Sequence, residues 1–235
     1  AERLIQNVGC HYAVDLDIKS FFDNVNHGKL LKQMWTLGIR DKKLLSIISA
    51  MLKAEVAGIG FPEKGTPQGG IISPLLSNIV LNELDWWLVS QWEEMPTRKN
   101  YIHRIYSNGT PDKSSTIWVL RNKTNLKECY VVRYADDFKI FCKKRTDAVK
   151  LFEATKQWLW NRLGLEISPE KSQVVNLKRH ASEFLGFQLK VRVKGKKSNG
   201  KPRYVIEAHM KEKTLQKIHD KSKQIIGELR QTYDK

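Results

Sequence analysis

The stretch YVVRYADDFKIFC, residues 130–142, sets two adjacent aspartates between two apolar, β-prone runs. Tyr130, Val131 and Val132 lead in, and Phe138, Ile140 and Phe141 lead out, so the segment reads as a core hairpin with Asp136 and Asp137 at its tip. Two carboxylates that close repel each other unless a positive group sits on them. A chain carrying this stretch must therefore build a sheet around the hairpin and bring a counter-charge to its end.

A second acidic strand exists to face it. Tyr12 to Ile18 (YAVDLDI) alternates and is β-prone, so Asp15 and Asp17, two apart, share one face of a strand. Divalent cations would resolve the repulsion, since Mg²⁺ takes oxygen ligands and often needs only one or two carboxylates plus substrate phosphates. Two such ions, about 3.5–4 Å apart, suit an in-line attack by a 3′ hydroxyl with pyrophosphate leaving. Carboxylates sharing them should stand within about 4–7 Å of each other.

Charge points to the same class of partner. The formal net charge is +16, and it is uneven: residues 171–235 hold 17 Lys and Arg against 6 Asp and Glu. Such polarised charge suits a polyanion, because each phosphate neutralised releases condensed counterions. An anionic membrane fits less well, since no basic helix carries Trp or Phe on its apolar face. No apolar run approaches the roughly 18–20 residues of a membrane span, and no apolar signal region opens the chain. Cys10, Cys129 and Cys142 are isolated and read as reduced core residues of an intracellular protein, cytoplasmic in a bacterium or organellar.

Helical stretches fill the intervals. One starts at Asn26-His27 with Leu30, Leu31 and Met34 at helix spacing. Asp41 caps a second carrying Leu44, Leu45, Ile48 and Leu52. The loop GIGFPEKGTPQGG (58–70) precedes a long helix from Ser73-Pro74 to about Trp92. Residues 95–128 are polar and turn-rich and read as a surface hairpin or insertion. Thr146 caps a helix to about Leu163, strands follow near 173–177 and 182–190, VKGKKSNGKPR is a basic turn, and 209–231 is an amphipathic helix. Strands and helices mix without regular alternation, which favours an α+β fold: a small antiparallel sheet with helices packed on one face.

These residues resemble a family. YADD (134–137) is similar to motif C of reverse transcriptases, DIKSFFDNVNH (17–27) to motif A, GTPQGGIISPLLSNIVLNELD (65–85) to motif B, LGLEISPEKS (163–172) to motif D and EFLGFQLK (183–190) to the primer-grip motif E, all in the family's order. The wording of the motif B segment and the YADDF ending are most like group II intron-encoded maturase–reverse transcriptases. The resemblance implies a right-hand polymerase palm with partial fingers over residues 1–208, and a basic helix over 209–235 that begins a thumb or its linker. Eleven residues before Tyr12 are too few for the upstream fingers motifs, so the chain is expected to be an internal piece of a longer protein, its activity alone left open.

Roles carried over from the family fall on named positions. Asp17 and Asp136 would be the main metal ligands, with Asp137 accessory and the Ile18 carbonyl a further ligand, for Mg²⁺ or Mn²⁺. The five-residue spacing from Asp17 to Phe22 selects Asp17 over Asp15. Phe22 would be the steric gate against a ribose 2′-OH, Phe21 a core residue. Pro67, Gln68 and Gly69, with Gly65, would form the nucleotide-binding loop. Lys171 would protonate or neutralise the leaving pyrophosphate, and Phe184, Leu185 and Gly186 would contact the primer. Arg133 is open between touching nucleic acid and pairing with a neighbouring acid, while Trp86, Trp87 and Trp92 read as packing. The implied activity is RNA-directed DNA synthesis on an RNA template from a DNA or RNA primer with dNTP, and binding of a group II intron RNA in splicing and mobility of the retroelement. A non-catalytic RNA-binding maturase module is the alternative, and an RNA-directed RNA polymerase fits the bulky Phe22 less well. Oligomeric state is open, a homodimer included.

Overall fold

The computed structural model describes residues 1–56, 60–66 and 71–233. They divide into two units, Tyr12–Val174 on the one hand and Ala1–His11 with Val175–Lys235 on the other.

In the larger unit the acidic strand and the hairpin form one antiparallel sheet. Strand β1 (Tyr12–Leu16) pairs with β3 (Asp137–Cys142), which pairs in turn with β2 (Cys129–Tyr134). With β4 (Gln173–Asn176), on which the chain passes from one unit to the other, the order is β2-β3-β1-β4. Alternation decides the faces: Val14, Leu16, Phe138 and Ile140 point into the hydrophobic core, and Asp15, Asp17, Asp137 and Lys139 take the other side.

Helices cover the apolar face. Helix α1 is a single turn, Phe21–Asn24; α2 (His27–Thr36) and α3 (Lys42–Leu52) follow it. The Asn26 side chain accepts from Lys29 N–H at 2.9 Å, and Asp41 accepts from Lys43 and Leu44, so each cap fixes a helix start. Helix α4 (Ser73–Gln91) starts with Pro74 in its first turn and buries Leu76, Val80, Leu84 and Leu88 on one stripe. Each such side chain contributes about 1.5–3 kcal/mol of transfer free energy. Helix α6 (Arg145–Trp158) continues into a π-helical turn, Leu159–Leu163, and stops at Gly164, whose φ of 71° is left-handed. Its cap position is Lys144, with Thr146 inside the helix.

The polar stretch 95–128 departs from a plain surface hairpin. SNGTP does close a tight turn, with Tyr106 N–H donating to Thr110 O, but a helix, α5 (Ser114–Lys123), follows. It buries only Leu120, so the sequence shows no apolar stripe to announce it. Trp87 stacks on Trp158 at 5.3 Å and Trp92 is buried, as packing residues should be, whereas Trp86 is exposed.

The smaller unit holds a second antiparallel sheet, β5 (Ser182–Phe184), β6 (Phe187–Lys196) and β7 (Pro202–Met210), in that order. The single strand read over 182–190 is thus two, folded back at Leu185–Gly186, both with positive φ (51° and 81°), the signature of a two-residue hairpin turn. Helix α7 (Glu212–Tyr233) completes it, with Leu215, Ile218, Ile225, Ile226 and Leu229 all about half exposed.

Candidate active site

The β1–β3 register ends with Leu16 opposite Phe138. Continued one step beyond that last pair, the register would bring Asp17 opposite Asp137, the residue that follows Asp136 of the turn. The hairpin turn is Ala135–Asp136, closed by the Tyr134–Asp137 pair, with Ala135 in the left-handed region at φ 54°. A non-glycine residue there costs about 1–2 kcal/mol. Asp136 is half-buried and Asp137, the first residue of β3, is exposed.

The backbone of Asp17 is held from the opposite side. Its N–H donates to Ser172 Oγ at 3.1 Å, and its carbonyl accepts from Ser168 N–H at 2.8 Å. Lys19 N–H donates to Glu166 O at 2.8 Å, which makes Ile18 and Ile167 a bridge pair of the non-hydrogen-bonded kind. In such a pair the residue's own polar groups turn away from its partner. The Ile18 carbonyl is therefore directed to the side of β1 on which β3 and the hairpin run.

Charge on this face is arranged by position. Asp15, directly across from Lys139, forms an ion pair with it at 2.6 Å, and both side chains are nearly buried (13% and 5% exposed). This ties Asp15 into the sheet and explains why the two acids of YAVDLDI differ. Asp17 keeps a 38% exposed side chain, and Lys171 Nζ lies 3.4 Å from its Oδ2. An ion pair this open is worth at most about 1 kcal/mol, so a stronger cation can displace the ammonium.

Asp17, Asp136, Asp137 and the Ile18 carbonyl carry oxygen donors alone, which would suit Mg²⁺ or Mn²⁺ and not the nitrogen and sulfur ligation of structural zinc. Among the described residues, no three His, Cys, Asp or Glu residues are grouped so as to hold a metal ion. A cation on one or two of these carboxylates would have to complete its shell with water and substrate phosphates.

The motif A turn and the entry to the motif B loop are stitched together. Phe21 is buried and its ring meets that of Phe22 edge-on at 5.3 Å; Phe22 is half-buried at the rim of the core. Thr66 N–H donates to Phe22 O at 2.6 Å, Gly65 N–H to Val25 O at 2.7 Å, and Lys64 Nζ to Asn24 Oδ1 at 2.7 Å. Buried His27 places Nε2 2.6 Å from the Gly65 carbonyl, so that nitrogen carries the proton and donates. Gly65 has φ 99°, and a Cβ there would meet the Phe22 and Asp23 carbonyls at 3.1 Å. Gly65→Ala is accordingly expected to destabilise the protein by about 1–3 kcal/mol; chemical denaturation checks it, and an unchanged midpoint would count against the close approach. Pro67, Gln68 and Gly69 lie outside the described residues.

Phe184, Leu185 and Gly186 belong to the smaller unit, at the β5–β6 turn, with Leu185 44% exposed and the Gly186 carbonyl accepting from Lys211 N–H. Arg133 pairs with an acid: its guanidinium binds Asp85 of α4. Sequence reasoning passed over His27, Ser168 and Ser172. Their signal was position, each adjoining a motif residue.

A sheet of this order, carrying its acids on a strand and a facing hairpin, defines a polymerase palm, and residues 2–189 match the reverse transcriptase (RNA-dependent DNA polymerase) family: the chain belongs to it. Among its relatives is the group II intron-encoded protein LtrA of Lactococcus lactis subsp. cremoris, 33% identical and covering 80% of this chain and 36% of that protein. Another is the protein YkfC of Escherichia coli K12, 30% identical and covering 76% of this chain and 46% of the relative. The chain thus spans between a third and a half of the length of these curated relatives. Among solved structures, apo telomerase from Candida tropicalis superposes with a TM-score of 0.51 at 12% identity, over 80% of this chain and 33% of that one, a likeness of fold.

Proposed function

We propose that this chain is the catalytic core of a group II intron-type reverse transcriptase, which extends a primer 3′ end with dNTP on an RNA template. The observation that supports the reading is the β1–β3 register, whose last pair, Leu16 opposite Phe138, joins the neighbours of Asp17 and Asp137. Asp17, Asp136 and Asp137, with the Ile18 carbonyl, would hold Mg²⁺, which when bound supplies Lewis-acid stabilisation to the attacking and leaving oxygens. Ser168 and Ser172 fix the strand from which Asp17 projects, so its carboxylate is preorganised. Lys171 stands beside that carboxylate, where its ammonium can neutralise or protonate the departing pyrophosphate. Phe22, anchored by Phe21 and by the bond from Thr66, presents its ring as a wall where a 2′-OH would sit. Gln68, between Pro67 and Gly69, would contact the incoming nucleotide, and Phe184, Leu185 and Gly186 the primer.

The surplus of basic residues after 171 supports binding of RNA, including an intron RNA whose splicing and mobility the protein would assist. Among the described residues no helix is long and apolar enough to cross a membrane. The division into a polymerase core over 1–208 and a thumb-like helix over 209–235 is part of this proposal.

Primer extension with and without Mg²⁺, on the chain and on the complete natural protein, tests the reading. RNA binding without extension by either would favour the non-catalytic maturase module. Phe22→Ala is expected to relax discrimination against rNTP by about 10- to 100-fold, the 1–3 kcal/mol of a pocket contact. An unchanged ratio of dNTP to rNTP incorporation would remove Phe22 from the gate.

A further inference from the structure

Arg133 is the residue before YADD, and in a nucleic-acid enzyme an arginine there invites a phosphate-binding role. Its surroundings point elsewhere. Nε donates to both oxygens of Asp85 at 2.8 and 3.0 Å, and Nη2 donates to Asp85 Oδ2 at 2.5 Å. Nη1 donates to Asn78 Oδ1 at 2.8 Å and to the Ala135 carbonyl at 2.7 Å. The side chain is only 13% exposed. A guanidinium with its fork spent in this way has little left for a backbone phosphate.

The two ends of this cluster lie on different elements. Asn78 and Asp85 are on α4. The Ala135 carbonyl belongs to the peptide that joins the strained left-handed residue to Asp136. Fixing that carbonyl fixes the peptide plane, and so the direction in which the Asp136 side chain leaves the turn. We infer that Arg133 is a positioning residue that locks the Asp136 turn onto α4, so that the metal-binding carboxylate is held in a fixed direction. Through Asp85 the guanidinium is itself oriented bidentately, which lysine cannot reproduce.

The inference rests on the polymerase reading, and its test keeps the two separable by measuring metal binding as well as turnover. In the complete natural protein, R133K and D85N should each lower kcat for dNTP addition about tenfold, with KM for dNTP and template–primer Kd within about twofold of wild type. Mn²⁺ affinity, followed by electron paramagnetic resonance without any substrate, should fall in parallel. The R133K/D85N double variant should be no worse than the poorer single one, since both cut the same link. N78A removes one contact and should give a smaller fall in the same direction, which guards against loss of fold in the others. If the variants keep wild-type kcat per folded molecule and wild-type Mn²⁺ affinity, with only Tm lowered, the cluster is packing and the proposal is overturned. A wild-type protein that extends no primer, together with an R133K variant that has lost Mn²⁺ affinity, would sustain the positioning role and defeat the polymerase reading.

Discussion

Asp17→Ala and Asp136→Ala are each expected to reduce Mg²⁺-dependent primer extension by at least about a thousandfold, some 4 kcal/mol of lost transition-state stabilisation. The magnitude follows from what each carboxylate does in the proposed site. Removing one leaves a single main ligand, with only the accessory Asp137 to help fix the spacing of the cations. Template binding should survive, because it draws on the basic residues concentrated after 171 and not on two acids at the end of a hairpin. Asp137→Ala should cost less, since Asp137 is exposed at the first position of β3. Primer extension beside a filter-binding measurement of RNA affinity separates the two effects. Undiminished extension by either the Asp17 or the Asp136 variant would dismantle the site.

The second large effect falls on stability. Lys139→Met should destabilise the larger unit by about 3–5 kcal/mol, because it removes the ammonium that lies 2.6 Å from the Asp15 carboxylate, itself only 13% exposed. Asp15→Leu in the same background should restore much of the loss, since an apolar pair of similar volume often matches a buried ion pair in stability. Denaturant unfolding of the two single variants and the double variant closes the cycle. Equal and additive losses would mean that the two side chains do not depend on each other. The pair also bears on the site, because the same strands carry Asp17 and Asp137 two positions further toward the turn.

What the sequence made legible was whatever repeats a local rule. Alternation in YAVDLDI and in the YADD hairpin disclosed β1, β2 and β3 and the face on which their acids lie. Asn26 and Asp41 marked helix starts by their side-chain chemistry, and Pro74 marked another. Long-range pairing was not legible. Nothing in the spacing of Lys139 says that it will lie opposite Asp15, and nothing in Arg133 alone chooses Asp85 over a phosphate. Those partners are set by register between segments over a hundred and nearly fifty residues apart. Helix α5 was missed for a different reason: it buries a single leucine, so there is no periodic stripe to detect. The fold-back at Leu185–Gly186 was hidden because the first turn residue is a leucine at φ 51°, a conformation that glycine and asparagine would have advertised.

Ser172 and Lys171 are consecutive, and between them they hold the Asp17 amide and stand beside its carboxylate. If Lys171 serves as proposed, anchor and proton source are one lever. On the proposed mechanism, any displacement of residues 166–172 alters both where Asp17 sits and what charge faces it, without breaking a strand or opening the core. On that mechanism, damage from heat or drift in sequence should show there as slow turnover in a protein that still looks folded.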